Sequence, residues 1–152
     1  MQKIKIYTDG GARGNPGPAG IGVVIKDGDK IIKEVKKYIG ETTNNQAEYQ
    51  ALILGLEELG KMSEQGVLGG SASNLEAEPP TSVEVDCFLD SELVVKQLNR
   101  EYKVKNKDLA PLFVKVWNLS QGFKSCKFWH IGREQNKEAD RLVNEAIDES
   151  FS

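Results

Sequence analysis

Ile4-Lys5-Ile6-Tyr7-Thr8-Asp9 runs directly into Gly10-Gly11, and Val83-Glu84-Val85-Asp86-Cys87-Phe88-Leu89-Asp90 runs directly into Ser91. Both stretches alternate apolar and polar residues, the period of a strand with one buried face, and both finish on an acid. Lying side by side in one sheet, they would bring Asp9 and Asp90 to a common rim, where α/β sheets keep their chemistry.

Past the first strand, Gly10 to Gly17 reads as a Gly/Pro-rich turn, and Gly20 to Lys26 resumes a strand pattern. Asp27-Gly28 is a hairpin signal and Lys30 to Tyr38 supplies a third strand, giving three antiparallel strands. From Asn44 to about Lys61, Ala47, Ala51, Leu52, Leu54, Leu56 and Leu59 recur at helical spacing behind Thr43 or Asn44 as N-cap. Residues 66–82, with Gly69-Gly70-Ser71 and Pro79-Pro80, lack periodicity and read as a flexible surface insertion. Ser91 caps a helix over about 91–100, and Leu109 to Leu119 forms another with Pro111 in its first turn. Ser125 to Ile131 is the last strand. Ala139, Leu142, Val143, Ala146 and Ile147 give Glu134 to Ile147 an amphipathic helical face. The order βββαβααβα predicts an α/β fold, a mixed sheet with helices packed on it.

The 152 residues fit one domain over 1–152, long enough to bury a core without staples. With 39% hydrophobic and 28% charged residues and no apolar run near the roughly 20 residues of a membrane span, a soluble protein without a membrane partner is expected. The strand pattern begins at once after Met1-Gln2-Lys3, leaving no room for a signal peptide and pointing to a cytoplasmic location. Cys87 and Cys126 lie in strand-like runs without zinc spacing, so buried free thiols are the simplest reading, with a disulfide left open.

The net charge of −3 runs against a nucleic-acid partner until its distribution is considered. Two further acids stand in helical context, Glu48 within Asn44-Asn45-Gln46-Ala47-Glu48 and Asp140 within Asn136-Lys137-Glu138-Ala139-Asp140. Setting aside Asp9, Glu48, Asp90 and Asp140 leaves 19 of the 23 acidic residues against 20 basic ones. Lys96, Arg100, Lys103, Lys105 and Lys107 cluster in one stretch, which is either a solvated face or a phosphate-binding one. Four convergent carboxylates repel one another unless divalent cations neutralise them, so a metal-dependent phosphoryl-transfer site is the leading hypothesis. Hard oxygen donors favour Mg²⁺ or Mn²⁺, as two ions about 3.5–4 Å apart.

The glycines of Gly10 to Gly17 do not form a phosphate-cradling loop. No Gly-Lys-Ser/Thr follows them, and the next element is a strand rather than a helix N-terminus. They can bring backbone close to a large ligand, with Arg13 and Asn15 as polar contacts. Asn44, Asn45 and Gln46 offer donors and acceptors for base edges and ribose 2′-hydroxyls in a shallow minor groove.

Thr8-Asp9-Gly10-Gly11, Gly14-Asn15-Pro16-Gly17-Pro18-Ala19-Gly20, Thr43-Asn44-Asn45-Gln46-Ala47-Glu48-Tyr49, Leu89-Asp90-Ser91 and Arg133-Glu134-Gln135-Asn136-Lys137-Glu138-Ala139-Asp140 occur in that order. Together they resemble type 1 ribonuclease H from about residue 4 to 148, interrupted by the insertion. The resemblance implies a ribonuclease H-like fold, a five-stranded mixed sheet of order 3-2-1-4-5 with helices on both faces. It implies an endonuclease, monomeric, hydrolysing the RNA strand of RNA–DNA hybrids to 5′-phosphate and 3′-hydroxyl ends. Asp9, Glu48, Asp90 and Asp140 match the family's catalytic, metal-binding acids. Asn15, Asn44, Asn45 and Gln46 match positions that touch the minor groove, and Thr43 one associated with a DNA-strand phosphate.

Three departures stand out. The mobile loop histidine of many members is missing; the single histidine, His130, falls in the last strand as a structural residue, and Arg133 becomes a phosphate contact in its place. The basic helical protrusion of some members is reduced to the Lys-rich loop 101–108. Residues 66–82 exceed the usual link. Competing readings are a nuclease of the same scaffold acting on another polynucleotide, since fold does not fix substrate, and a non-catalytic hybrid-binding module.

Overall fold

The computed structural model describes residues 2–64 and 82–152. Strands β1 (Gln2–Ala12), β2 (Gly17–Asp27) and β3 (Lys30–Thr42) form an antiparallel meander, with the β2–β3 turn at Gly28, whose φ of 63° suits glycine. Helix α1 (Asn44–Glu64) carries the chain across to β4 (Val83–Leu89), which pairs in parallel with β1. Helices α2 (Glu92–Leu98) and α3 (Ala110–Ser120) lead to β5 (Ser125–His130), parallel to β4. A single 3₁₀ turn over Arg133–Gln135 precedes α4 (Lys137–Ser150). The sheet has five strands in the order β3-β2-β1-β4-β5, as the resemblance implied. The expected insertion lies, apart from Ser82, outside the described residues.

Strand alternation sorts side chains onto two faces. Ile4, Ile6, Val23, Ile25, Val83, Val85, Cys87 and Leu89 pack beneath α1 residues Tyr49, Leu52, Leu56 and Leu59 in the main core, which α2 and α3 extend through Val94, Leu98 and Val116. The opposite face receives α4, where Ala139 and Leu142 pack against Val24 and Tyr7. Covered on both sides, β2 is buried almost throughout, which explains its near-continuous Ile/Val/Gly composition.

Small residues set how closely the helices sit. A Cβ on Gly22 would come 2.4 Å from the Ala139 carbonyl oxygen, and one on Gly10 would come 2.3 Å from the backbone of Ala47. Glycine at both positions therefore lets α4 and the first turn of α1 rest directly on the sheet. This corrects the reading of Gly10 to Gly17 as a turn. Gly10, Gly11 and Ala12 continue β1, paired with Ile21, Gly20 and Ala19, and only the four residues between Ala12 and Gly17 turn the chain.

Exposed ion pairs align α4 along β2 and β3: Lys26 with Glu138 at 3.1 Å, Arg141 with Glu34 at 3.2 Å, and Lys36 with Glu145 and Glu149 at 3.0 and 2.8 Å. Solvent and salt screen these exposed pairs, so they orient the helix more than they hold it. The apolar stripe Ala139, Leu142, Val143, Ala146 and Ile147 supplies the larger share, about 1.5–3 kcal/mol for each large side chain fully buried. The helix begins at Lys137, not at Glu134, because the 3₁₀ turn takes up Arg133–Gln135. Likewise α2 ends at Leu98, and Arg100 takes a left-handed φ of 62° just beyond it. Cys87 is buried and Cys126 half-buried on neighbouring strands; both are free thiols with sulfurs 3.9 Å apart. Among the described residues no helix is long and apolar enough to cross a membrane.

Candidate active site

β1 and β4 pair in parallel as far as Thr8 and Leu89, so Asp9 and Asp90 each take the next position, where the two strands part. Asp90 follows the last residue of β4, and Ser91 caps α2 by accepting from Val94 N at 3.3 Å. Asp9 shares its face with Gly11, which approaches Val143 of α4. Gly10 faces the other way, against Ala47 and Glu48 of α1. The rim is thus where the two sheet faces meet, with Glu48 supplied from the α1 side and Asp140 from α4.

The first turn of α1 is fixed by a capping box. Thr43 Oγ1 accepts from Gln46 N at 3.2 Å, while Gln46 Oε1 accepts from Thr43 N at 3.3 Å. That geometry turns Glu48 inward, 5% exposed, with Oε1 accepting from Gly10 N at 3.3 Å. Carboxylate oxygens of Asp9, Glu48 and Asp90 lie within 4.8 Å of one another. Asp140, exposed near the start of α4, lies near enough to Asp9 to act on its carboxyl but stands outside this compact trio.

This proximity is costly without a counter-charge. Burial pushes the Asp9 carboxyl from an ordinary 3.8 up to about 7; the charges of Asp90 and Asp140 act the same way, and the hydrogen bond from Glu48 opposes them. Glu48 is raised well above 4.5, first by burial and next by Asp9. Its Oε2 is buried and has no hydrogen-bond partner among the described residues. Clustered hard oxygen donors, one of them orphaned, fit a divalent cation of the Mg²⁺ or Mn²⁺ kind.

The acids line an open cleft of about 450 Å³ together with Gly10, Gly11, Ala12, Arg13, Asn44, Asn45, Ser91 and Arg133. Arg13 is turned toward α4, pairing with Asp148 at 2.6 Å and donating to Asn144 Oδ1 at 3.3 Å. Asn15 Oδ1 accepts from Asn44 N at 3.0 Å, and Asn44 Oδ1 accepts from Ala12 N at 2.8 Å. Both amide oxygens are thus spent on backbone, which fixes the side chains of Asn15 and Asn44 beside the cleft. Thr43 and Gln46 sit in the capping box behind it. His130 is exposed and absent from the cleft lining, whereas Arg133 is part of it. The expectation of a structural histidine changes to that extent: the side chain faces solvent rather than the core.

The sequence reading assigned no role to Asn136, which is 2% exposed with its amide group between β1 and Asp90. Its place four residues before Asp140, at the mouth of a helix, was the available signal.

A family model described as RNase H matches residues 1–148. The structure of LC11-RNase H1, isolated from compost by a metagenomic approach, superposes with a TM-score of 0.84 at 48% identity, covering 100% of both chains. The same protein has been solved in complex with an RNA/DNA hybrid, matching at 47% identity and a TM-score of 0.84 over 98% of this chain and 99% of that one. The bifunctional protein Rv2228c of Mycobacterium tuberculosis is 38% identical over 96% of this chain, which spans only 36% of that relative's length. Ribonuclease H of Erythrobacter litoralis is 34% identical over 97% of this chain and 98% of its own. With its strand order, its rim of acids and matches along nearly its whole length, this chain belongs to the ribonuclease H family.

Proposed function

We propose that the chain is an endoribonuclease that hydrolyses the RNA strand of RNA–DNA hybrids, leaving 5′-phosphate and 3′-hydroxyl ends. The observation that carries this reading is the gathering of Asp9, Glu48 and Asp90 oxygens within 4.8 Å, beside Asp140, on the floor of an open cleft. A related enzyme of 47% identity has been solved in complex with an RNA/DNA hybrid.

Asp9, Glu48, Asp90 and Asp140 are the residues that would hold two Mg²⁺ or Mn²⁺ ions. When bound, such ions supply Lewis-acid charge to an attacking water and to the departing 3′-oxygen of an in-line displacement. The chain's own groups do the rest. Glu48, held by Gly10 N, and Asp9, fixed in the sheet, present carboxylate oxygens at set positions. Asn15 and Asn44 have their amide oxygens bonded to the protein, which leaves their NH₂ groups as donors to minor-groove acceptors. Asn45 lines the same wall; Gln46, a further minor-groove contact, and Thr43, the contact to a DNA-strand phosphate, are held to each other by the capping box. Arg133 offers a bidentate guanidinium to phosphate. Arg13 reaches phosphate only by leaving Asp148. The protein acts as a monomer in the cytoplasm.

Cleavage of a labelled hybrid oligonucleotide in Mg²⁺ or Mn²⁺, by the parent and by Asp9→Asn, tests the reading, with duplex RNA and duplex DNA of the same sequence alongside. The parent should cut the hybrid alone and the variant nothing. Parent cleavage confined to another polynucleotide, or undiminished activity in Asp9→Asn, would refute it.

A further inference from the structure

Asn136 sits at the mouth of α4 with its side chain turned into the protein. Its Nδ2 donates to the Thr8 carbonyl at 2.9 Å and to Asp90 Oδ2 at 3.1 Å. Its own backbone carbonyl accepts from Asp140 N at 3.1 Å. One residue therefore joins β1 next to Asp9, the end of β4 at Asp90, and the α4 turn that bears Asp140. The orientation of its amide is dictated chemically. A carbonyl and a carboxylate only accept, so the NH₂ end must face both.

We infer that Asn136 is the positioning residue of the acidic centre: its amide locks the Asp90 carboxylate onto the β1 backbone so that the remaining oxygen is held ready for a divalent cation. This rests on the metal reading above. A neutral donor suits the task. It restrains Asp90 without neutralising it, whereas a lysine would supply the very charge that the cation should bring. At 2% exposure the amide has no competing water, so its two bonds fix the geometry firmly. Hydrogen bonds to ligating carboxylates orient them, and losing one typically costs about 10–100-fold in metal affinity or activity.

Calorimetric titration of MnCl₂ into the parent, Asn136→Ala and Asn136→Ser separates positioning from mere folding. Thermal unfolding in EDTA, and kcat and KM on a hybrid oligonucleotide in saturating Mg²⁺, are measured alongside. Asn136→Ala should weaken Mn²⁺ binding and lower kcat, each by about tenfold or more, with KM for hybrid within about twofold of the parent. Asn136→Ser keeps a hydroxyl donor and should lie between the two. A folded Asn136→Ala with parental Mn²⁺ affinity would overturn the inference, as would a loss confined to KM. So would failure of both variants to fold in EDTA, which would make Asn136 a folding residue. A parent that takes up no Mn²⁺ would bring down the metal reading and this inference together. Parental uptake with an unchanged variant brings down the inference alone.

Discussion

Replacing Asp9 with asparagine should make the metal-free protein more stable while ending its chemistry. Asp9 is 7% exposed, and its carboxyl rises from 3.8 to about 7 on folding, which corresponds to roughly 4 kcal/mol of strain in the ionised form. Asparagine removes the charge but weakens the hydrogen bond with Glu48, returning about 1–2 kcal/mol. A gain of about 2–3 kcal/mol remains, roughly 5–10 °C in Tm for a chain of this size. The pH dependence follows from the direction of the shift. Below about pH 4 the carboxyl is protonated folded or unfolded, and the variant gains nothing from losing the charge. Between about pH 4 and 7 the folded parent binds more protons than the unfolded one, so it loses stability relative to the variant as pH rises. Above about pH 7 the gap is constant. Urea unfolding of both proteins in EDTA from pH 4 to pH 9 measures it. Adding Mg²⁺ should then stabilise the parent more than the variant and narrow the gap. A variant no more stable than the parent at pH 8 in EDTA, or a gap already complete at pH 4, would refute the electrostatic argument.

Arg133→Ala should reduce hybrid turnover by about tenfold while His130→Ala leaves it within about twofold, since only Arg133 lines the cleft; steady-state rates decide, and the reverse pattern would reassign the role. Neutralising Lys103, Lys105 and Lys107 to alanine should weaken hybrid binding and flatten its salt dependence, lowering the log–log slope by up to about 3 if all three touch phosphate. An unchanged slope in a salt titration would remove the loop from the binding surface. Gly22→Ala should cost about 1–3 kcal/mol in urea unfolding, because the added Cβ meets the Ala139 carbonyl oxygen at 2.4 Å and drives α4 off the sheet. A neutral outcome would mean that α4 can shift without penalty.

Much of the site was legible because its acids carry local marks. Asp9 and Asp90 end alternating runs, and Glu48 lies in the first turns of a helix capped at Thr43 or Asn44; strand period brings the two aspartates to one rim, and the Asn44-Asn45-Gln46-Ala47-Glu48 motif adds the glutamate. The glycines after Asp9 were misread because turn chemistry and close packing select the same residue. Nothing local distinguishes a glycine that turns the chain from one that lets Ala47 or Ala139 backbone rest against a strand. Asp140 was found by its motif, yet its exposure and its stand-off from the compact trio depend on how α4 docks, which no local pattern encodes. Asn136 went unassigned for a related reason. Its partners Thr8 and Asp90 are distant in sequence, and a buried amide is only visible once three elements have met.

The docking of α4 has a further consequence for the growing polypeptide. Three of the acids have been synthesised by residue 90, but Val24 and the rear of β2 find their cover only with Ala139 and Leu142, on the helix that also brings Asp140. A ribosome-bound intermediate ending near residue 130 could lay down the sheet and α1 while its back stayed wet and its centre stayed one ligand short. Closure of the hydrophobic rear and completion of the acidic cluster are thus a single event that waits for α4, and a fragment ending before that helix carries neither.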